Sequence, residues 1–273
     1  RSTDLQAYIG LGQIDKLDID FTDTKNNLGI VGCQLIDGKG KFLPESKRNV
    51  PTPKVSLKKV LGDASDYYAN HIPIENTGKV DILVGAFMWL KRDVYESVGG
   101  FDEAYFMYGE DIDLSYKVLK AGYDNYYFGE TTVIHFKGES TLKDIKYAKR
   151  FYGAMQIFYK KHFKQNLIFN AVVGLGIKLA YLLRKPPEEI KTKSDRSYLY
   201  IKNSPPSLEK QLPMPIEISE VLKDKIKINS MLVYDFNMLK VNTVIKDMKH
   251  KSIQENIVFR FLPKSSKFII TCF

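Results

Sequence analysis

Between Val80 and Thr141 the apolar pattern changes period several times, and that succession constrains the fold more than anything else in the chain. Val80 to Leu90 (VDILVGAFMWL) reads as a core strand, and Arg92 to Ser97 as a short helix ended by Gly99-Gly100. Glu110 to Ala121 is the clearest helix, with Ile112, Tyr116 and Leu119 on one face and Gly122 placed to stop it. Tyr126 to Phe128 and Thr131 to His135 then read as strands, so the class is α/β. Three carboxylates, Glu110, Asp111 and Asp113, stand at the start of that helix, and a lone His135 ends the β-rich run. Proton transfer needs carboxylates held in place, and divalent metals favour carboxylate oxygen and imidazole nitrogen.

Upstream, Leu28 to Ile36 (LGIVGCQLI) reads as a buried strand that Asp37-Gly38 turns. Lys39 to Lys59 is basic and holds prolines, which predicts an extended loop. Its Lys47-Arg48 pair is expected to face solvent, with phosphate contact as the other reading. Downstream, Thr141 and Asp144 resemble a capping box opening a basic, aromatic helix to about Phe163. Asn166 to Leu183 is the most apolar stretch, interrupted by Lys178 and flanked by Lys and Arg. It falls short of a clear span and reads as an interfacial helix, or equally as one packed on the preceding domain.

Four regions follow from this: 1–165, the main α/β domain; 166–186, the apolar and membrane-interfacial helix; 187–215, a proline-bearing linker; and 216–273, a partial α/β unit reading strand, helix, strand, strand. The formal charge of +9 admits nucleic acid, an anionic membrane or a phosphorylated ligand. No helix carries a recognised base-reading motif, so nucleic acid is not expected as a partner. Two distant cysteines, Cys33 and Cys272, give no disulfide framework, which makes a cytoplasmic setting the default, at the inner face of the plasma membrane if the apolar helix is interfacial.

VGAFMWLKRDV, VGGFDEAYFMYGEDIDLSYKVLKAGY and VIHFKGEST, with LGIVGCQLIDGKGKFLPESKRNVPTP before them, resemble family 2 glycosyltransferases of the type A fold, especially bacterial rhamnosyltransferase-like ones. The resemblance covers roughly residues 28 to 165 and implies a partial type A domain with a Rossmann-like mixed sheet. It implies inverting transfer of a sugar from a nucleotide-sugar donor to a hydroxyl of a glycan or lipid-linked glycan, in cell-surface polysaccharide synthesis. By the same resemblance Asp111 is the catalytic base, Glu110 orients the acceptor, and His135 binds a divalent metal (Mg or Mn). Gly85, Ala86, Trp89, Met107 and Tyr108 are the expected acceptor-side residues.

One departure stands out. The family's nucleotide-binding half and its Asp-x-Asp metal motif precede this region, and here only some 27 residues do. Asp18-Ile-Asp20 fits that motif in letters but follows no apolar strand. The chain is therefore expected to be a fragment, and a non-catalytic module that binds membrane or glycan without the donor is the alternative function. Packing accounts for several of these residues as well: acidic residues suit a helix N-terminus, which is the preferred reading of Asp113, and a lone Trp on a core strand usually packs.

Overall fold

The computed structural model describes residues 27–136, 145–163, 194–200, 210, 212–252, 256–266 and 269–271. Asp18, Asp20, Thr141, Asp144 and the apolar stretch 166–183 lie outside them. Two sheets organise the described residues. The first has the order β1 (Leu28–Ile36), β3 (Asp124–Ile134), β2 (Gly78–Lys79). β1 and β3 are parallel, and β2 runs antiparallel to β3. All nine residues of β1 are buried, as in a strand covered on both faces.

The covering elements place the site. α3 (Glu110–Lys120) packs Leu114 and Val118 on one face, beside Ile30 and Tyr127. Phe87 and Trp89 cover the other, with Val31, Tyr126 and Phe128. Asn125, 1% exposed, locks these layers together. Its Oδ1 accepts from Ile30 N at 3.0 Å, and its Nδ2 donates to Asp81 O at 2.7 Å and Ser115 O at 3.0 Å.

Residues 80–90 do not form the expected strand. They make isolated bridges, Ile82 with Arg48 and Trp89 with Val31. Side chains take the intervening amides: Leu83 N donates to Ser115 Oγ and Gly85 N to Asp111 Oδ2. An apolar run signals burial, and here the burial comes without a ladder. The basic loop also differs from expectation. Pro44–Ser46 is a 3-10 turn, and Pro53–Val60 is a helix, α1. Proline at the first helical position costs nothing, and the Thr52 hydroxyl caps Val55 N. α2 (Arg92–Ser97) stands where the sequence predicts it.

α4 (Ile145–His162) lies against α3 through Ala154, Met155 and Phe158, which share a cluster with Tyr105 and Ile112. Its last turn closes on Asp113, whose side chain is fully buried. Asp113 accepts from His162 Nε2 at 2.6 Å, Lys161 Nζ at 2.9 Å and Tyr105 Oη at 3.3 Å. Burial alone would push this carboxyl up. The hydrogen bonds and positive charges from His162 and Lys161 overcome it and bring the group down to about 2. Asp113 is therefore a helix-docking residue, in keeping with the packing reading of it.

The second sheet has the order β5 (Ile216–Ile218), β4 (Arg196–Tyr200), β6 (Ser230–Asp235), β7 (Ile257–Leu262), β8 (Ile270–Thr271). Only β8 is antiparallel. β4 sits inside the expected linker 187–215. Five residues between charged and proline-rich flanks carry little periodicity, yet Tyr198, Leu199 and Tyr200 are core. α5 (Val241–Lys251) packs Val244, Ile245 and Met248 on one face of this sheet. The same cluster takes in Ile36, Ile134 and Phe136, so the second unit rests on the carboxyl ends of β1 and β3. Lys249 Nζ bridges the seam to Gln34 Oε1 at 2.8 Å and Glu75 Oε1 at 3.0 Å.

Two outcomes follow for stability. Asn125→Leu, which strands one amide and two carbonyls, is expected to cost about 2 kcal/mol by urea unfolding. A loss within 0.5 kcal/mol of zero, on the order of an ordinary surface change, would remove Asn125 as the lock. For Asp113 the folded group titrates below its ordinary value, so its contribution is present above about pH 4 and lost as pH falls through about 2. The thermal midpoint of the wild type is expected to drop over that window, and Asp113→Asn to flatten the drop.

Candidate active site

α3 begins abruptly. Tyr108 and Gly109 both have positive φ, 70° and 84°. A Cβ at position 109 would lie 3.1 Å from the Ala154 Cβ, so both the turn and the α4 contact call for glycine. This kink aims the first helical residues, Glu110 and Asp111, at the segment carrying Gly85.

Asp111 is 8% exposed and fully engaged. Its Oδ2 accepts from Arg48 Nη2 at 2.8 Å and from Gly85 N at 3.1 Å, while Oδ1 accepts from Ile112 N at 2.8 Å. Gly85 comes so close that a Cβ there would stand 3.3 Å from the Asp111 Cβ. Arg48 also donates to Leu83 O at 2.6 Å, and its backbone is bonded to Ile82. Burial works against the Arg48 charge, but the Asp111 carboxylate and the nearby Tyr67 hold the guanidinium protonated above its ordinary range. The result is a buried ion pair that ties the basic loop, the Gly85 segment and the start of α3 to one point.

Glu110 stands differently. It is partly buried, its Oε1 is 3.9 Å from the Cβ position of Gly85, and its Oε2 is buried with no hydrogen-bond partner among the described residues. Burial raises its carboxyl, a hydrogen bond from its own backbone and the Arg48 charge offset part of that rise, and the neighbouring Asp111 charge adds to it. Two adjacent carboxylates thus differ in their partners: Asp111 is paired with a guanidinium, and one oxygen of Glu110 has no donor among the described residues.

The expected acceptor-side residues divide. Gly85 and Ala86 are exposed and beside the carboxylates. Met107 lies at the surface with Arg150 against its sulfur, and Tyr108 packs towards Phe151 of α4. Trp89 is not at the carboxylates: it pairs with Val31 and packs in the sheet-face cluster, in line with the packing reading. His135 follows β3 directly, its amide bonded to Ile36 O. Alternation puts it on the face of Val133, which Val84 and Phe87 cover, and Gly85 between those two meets Asp111. Among the described residues no group of three or more His, Cys, Asp or Glu forms a metal site. His135 is one donor where a divalent cation needs several, so the described residues do not by themselves hold one. No helix among them is long and apolar enough to cross a membrane.

Arg48 is the site residue that sequence reasoning missed. Neither it nor Lys47 is solvated: Lys47 is 4% exposed and donates to Ala69 O at 2.9 Å, and its carboxylate-free burial lowers its basicity. Arg48 and Asp111 are 63 residues apart, and no local pattern joins them.

Residues 45–154 match the family model described as glycosyltransferase like family 2. The N-acetylglucosaminyl-diphospho-decaprenol L-rhamnosyltransferase of Mycobacterium tuberculosis is 30% identical over 141 residues, which is 50% of this chain and 46% of that protein. Rhamnosyltransferase WbbL of Escherichia coli (strain K12) is 40% identical over 57 residues, 21% of this chain and 22% of that protein. The chain thus spans about half of the mycobacterial relative's length, and less of the other's. No solved structure matches it. The segment that matches contains Arg48, Gly85, Glu110 and Asp111, so the ion pair lies in the part of the chain that is similar to the family 2 glycosyltransferases.

Proposed function

We propose that the intact protein transfers a sugar from a nucleotide-sugar donor to an acceptor hydroxyl, with inversion, in the synthesis of a cell-surface polysaccharide. The observation that carries this reading is the Glu110–Asp111 pair, held against the exposed Gly85-Ala86 backbone by Arg48 within the family-matched segment. The mycobacterial relative is named for rhamnosyl transfer onto N-acetylglucosaminyl-diphospho-decaprenol. A lipid-linked glycan is accordingly the proposed acceptor class, with the reaction at the cytoplasmic face of the plasma membrane.

The chemistry suits these groups. A sugar hydroxyl is a weak nucleophile at neutral pH, and a carboxylate in hydrogen-bond reach takes its proton as attack proceeds. The exposed backbone at Gly85 and Ala86 lets the acceptor come close to the carboxylates, since no bulky side chain stands between them. A divalent cation, when bound, offsets charge on the departing nucleoside diphosphate. His135 is proposed as one of its ligands.

Purified intact protein incubated with nucleotide-sugars and a polyprenyl-diphosphate glycan is expected to yield an extended product by mass spectrometry. Asp111→Asn is expected to lower turnover by about 100-fold or more while the circular dichroism spectrum is kept. Full turnover in that variant would take the carboxylate pair out of the reaction. Removal of metal with EDTA is expected to stop transfer, with Mg or Mn restoring it, and His135→Ala to raise the metal concentration needed. An unchanged metal requirement in His135→Ala would leave His135 a packing residue.

A further inference from the structure

We propose that Phe106, Met107 and Arg150 form the subsite for the lipid-diphosphate end of the acceptor. Arg150 takes the diphosphate, and Phe106 with Met107 takes the first units of the apolar chain joined to it. This rests on the transferase reading above and deepens it, because it names the surface that receives the end of the acceptor that does not react.

Three observations carry it. The first is an apolar pair turned out to solvent between anchored neighbours. Tyr105 is buried in the cluster with Ile112 and Ala154, and Tyr108 packs towards Phe151, whereas Phe106 is 82% and Met107 36% exposed. The positive-φ turn at Tyr108 and Gly109 follows at once, so a fixed piece of backbone presents the pair.

The second is the cation set against that pair. Arg150 is exposed, its guanidinium carbon lies 5.3 Å from the Phe106 ring centroid, and its Nη1 lies 4.0 Å from Met107 Sδ. A ring and a thioether hold this side chain without neutralising it, and no carboxylate among the described residues pairs with it. Asp102, in the same loop, is taken by Lys161 at 2.7 Å. A guanidinium is a fork of N–H donors that suits phosphate oxygens. A phosphate alone has no use for the ring, and a hydrocarbon alone has none for the cation. Side by side they match a diphosphate ester that carries a hydrocarbon chain.

The third is placement. Arg150 stands one turn of α4 before Ala154, and a Cβ at position 109 would lie 3.1 Å from the Ala154 Cβ. Position 109 leads directly into Glu110 and Asp111. The cation is thus offset along α4 from the start of α3 by about 5.4 Å, one helical pitch and the scale of a single sugar ring. In a lipid-linked glycan whose first sugar is the acceptor, one ring separates the diphosphate from the attacking hydroxyl. A diphosphate held by Arg150 leaves that sugar beside the carboxylates and sends the chain over Phe106.

Binding and transfer are to be measured separately on the intact protein. Farnesyl diphosphate, a short isoprenyl diphosphate, is titrated by calorimetry against wild type, Arg150→Gln, Arg150→Lys and Phe106→Ser. Wild type is expected to bind it more tightly than either inorganic pyrophosphate or farnesol. Arg150→Gln and Phe106→Ser should each weaken it by about tenfold, the scale of one charge-assisted hydrogen bond or one buried apolar side chain, with Arg150→Lys in between. Affinity for the donor's nucleoside diphosphate should not change, which separates this subsite from the donor's. In transfer, the same variants should raise KM for a polyprenyl-diphosphate glycan at unchanged kcat, and leave a water-soluble glycoside of the same sugar unaffected. Farnesyl diphosphate that wild type does not bind, or that Arg150→Gln and Phe106→Ser bind as wild type does, overturns the subsite and leaves the transferase reading intact. Loss of sedimentation with phosphatidylglycerol vesicles in those variants, at unchanged farnesyl diphosphate affinity, also overturns it and assigns the cluster to the membrane surface. A wild type that transfers no sugar, yet loses farnesyl diphosphate in both variants, keeps the subsite and removes the transferase reading.

Discussion

The buried contact between Arg48 and Asp111 is the constraint on which the rest of the first domain depends. Removing either partner would leave an uncompensated charge in the interior, which is far more costly than never having had the pair. The pair therefore acts less as a source of net stability than as a requirement for register. It holds a loop, an irregular segment and a helix start in one arrangement, because any shift of one against the others strands a charge. Asn125 does the neutral version of the same task one layer away, joining β1, α3 and residue 81 through three hydrogen bonds. Between them, three polar side chains specify how apolar layers that could slide are in fact stacked.

α3 carries a second polar anchor two residues on. Asp111 and Asp113 both stand in its first turn and are both buried, yet they face different neighbours: Asp111 meets the loops and Asp113 meets the end of α4. Acidic residues at this end of a helix complement its dipole, but here each also has a fixed cationic partner. Glu110 alone in the triplet lacks one among the described residues. Two satisfied carboxylates fasten the helix so that the third is presented in a defined direction.

Much of this architecture is legible in the residues. β1, α2 and α3 follow from an apolar run or from 3.6-residue spacing with glycine stops, and they stand within a residue or two of where those signals put them; β6, α5 and β7 follow in the expected order of strand, helix, strand. The carboxylate pair beside Gly85 is legible too, through the motifs of the resemblance. Besides the helix Pro53–Val60 in the basic loop, three things were not. Residues 80–90 look like a strand because they are apolar, but their amides are bonded by Ser115 and Asp111 side chains, which periodicity does not report. β4 is five residues between charged and proline-rich flanks, and only its parallel partners on both sides make it a strand. Arg48 reads as a loop cation because its partner is remote in sequence, and a long-range ion pair leaves no local signature.

The seam between the two sheets carries its own implication. Ile36, Ile134 and Phe136 of the first domain share a core with Tyr200, Phe236 and Phe261 of the second, and Lys249 clasps Glu75 across it. A cut placed between the two units would lay bare an apolar wall on each, aromatic on the second, a sticky surface of the kind that drives aggregation. Grafting the first domain onto another protein thus means bringing the five-stranded sheet along as its cover, or repainting that wall with polar residues first.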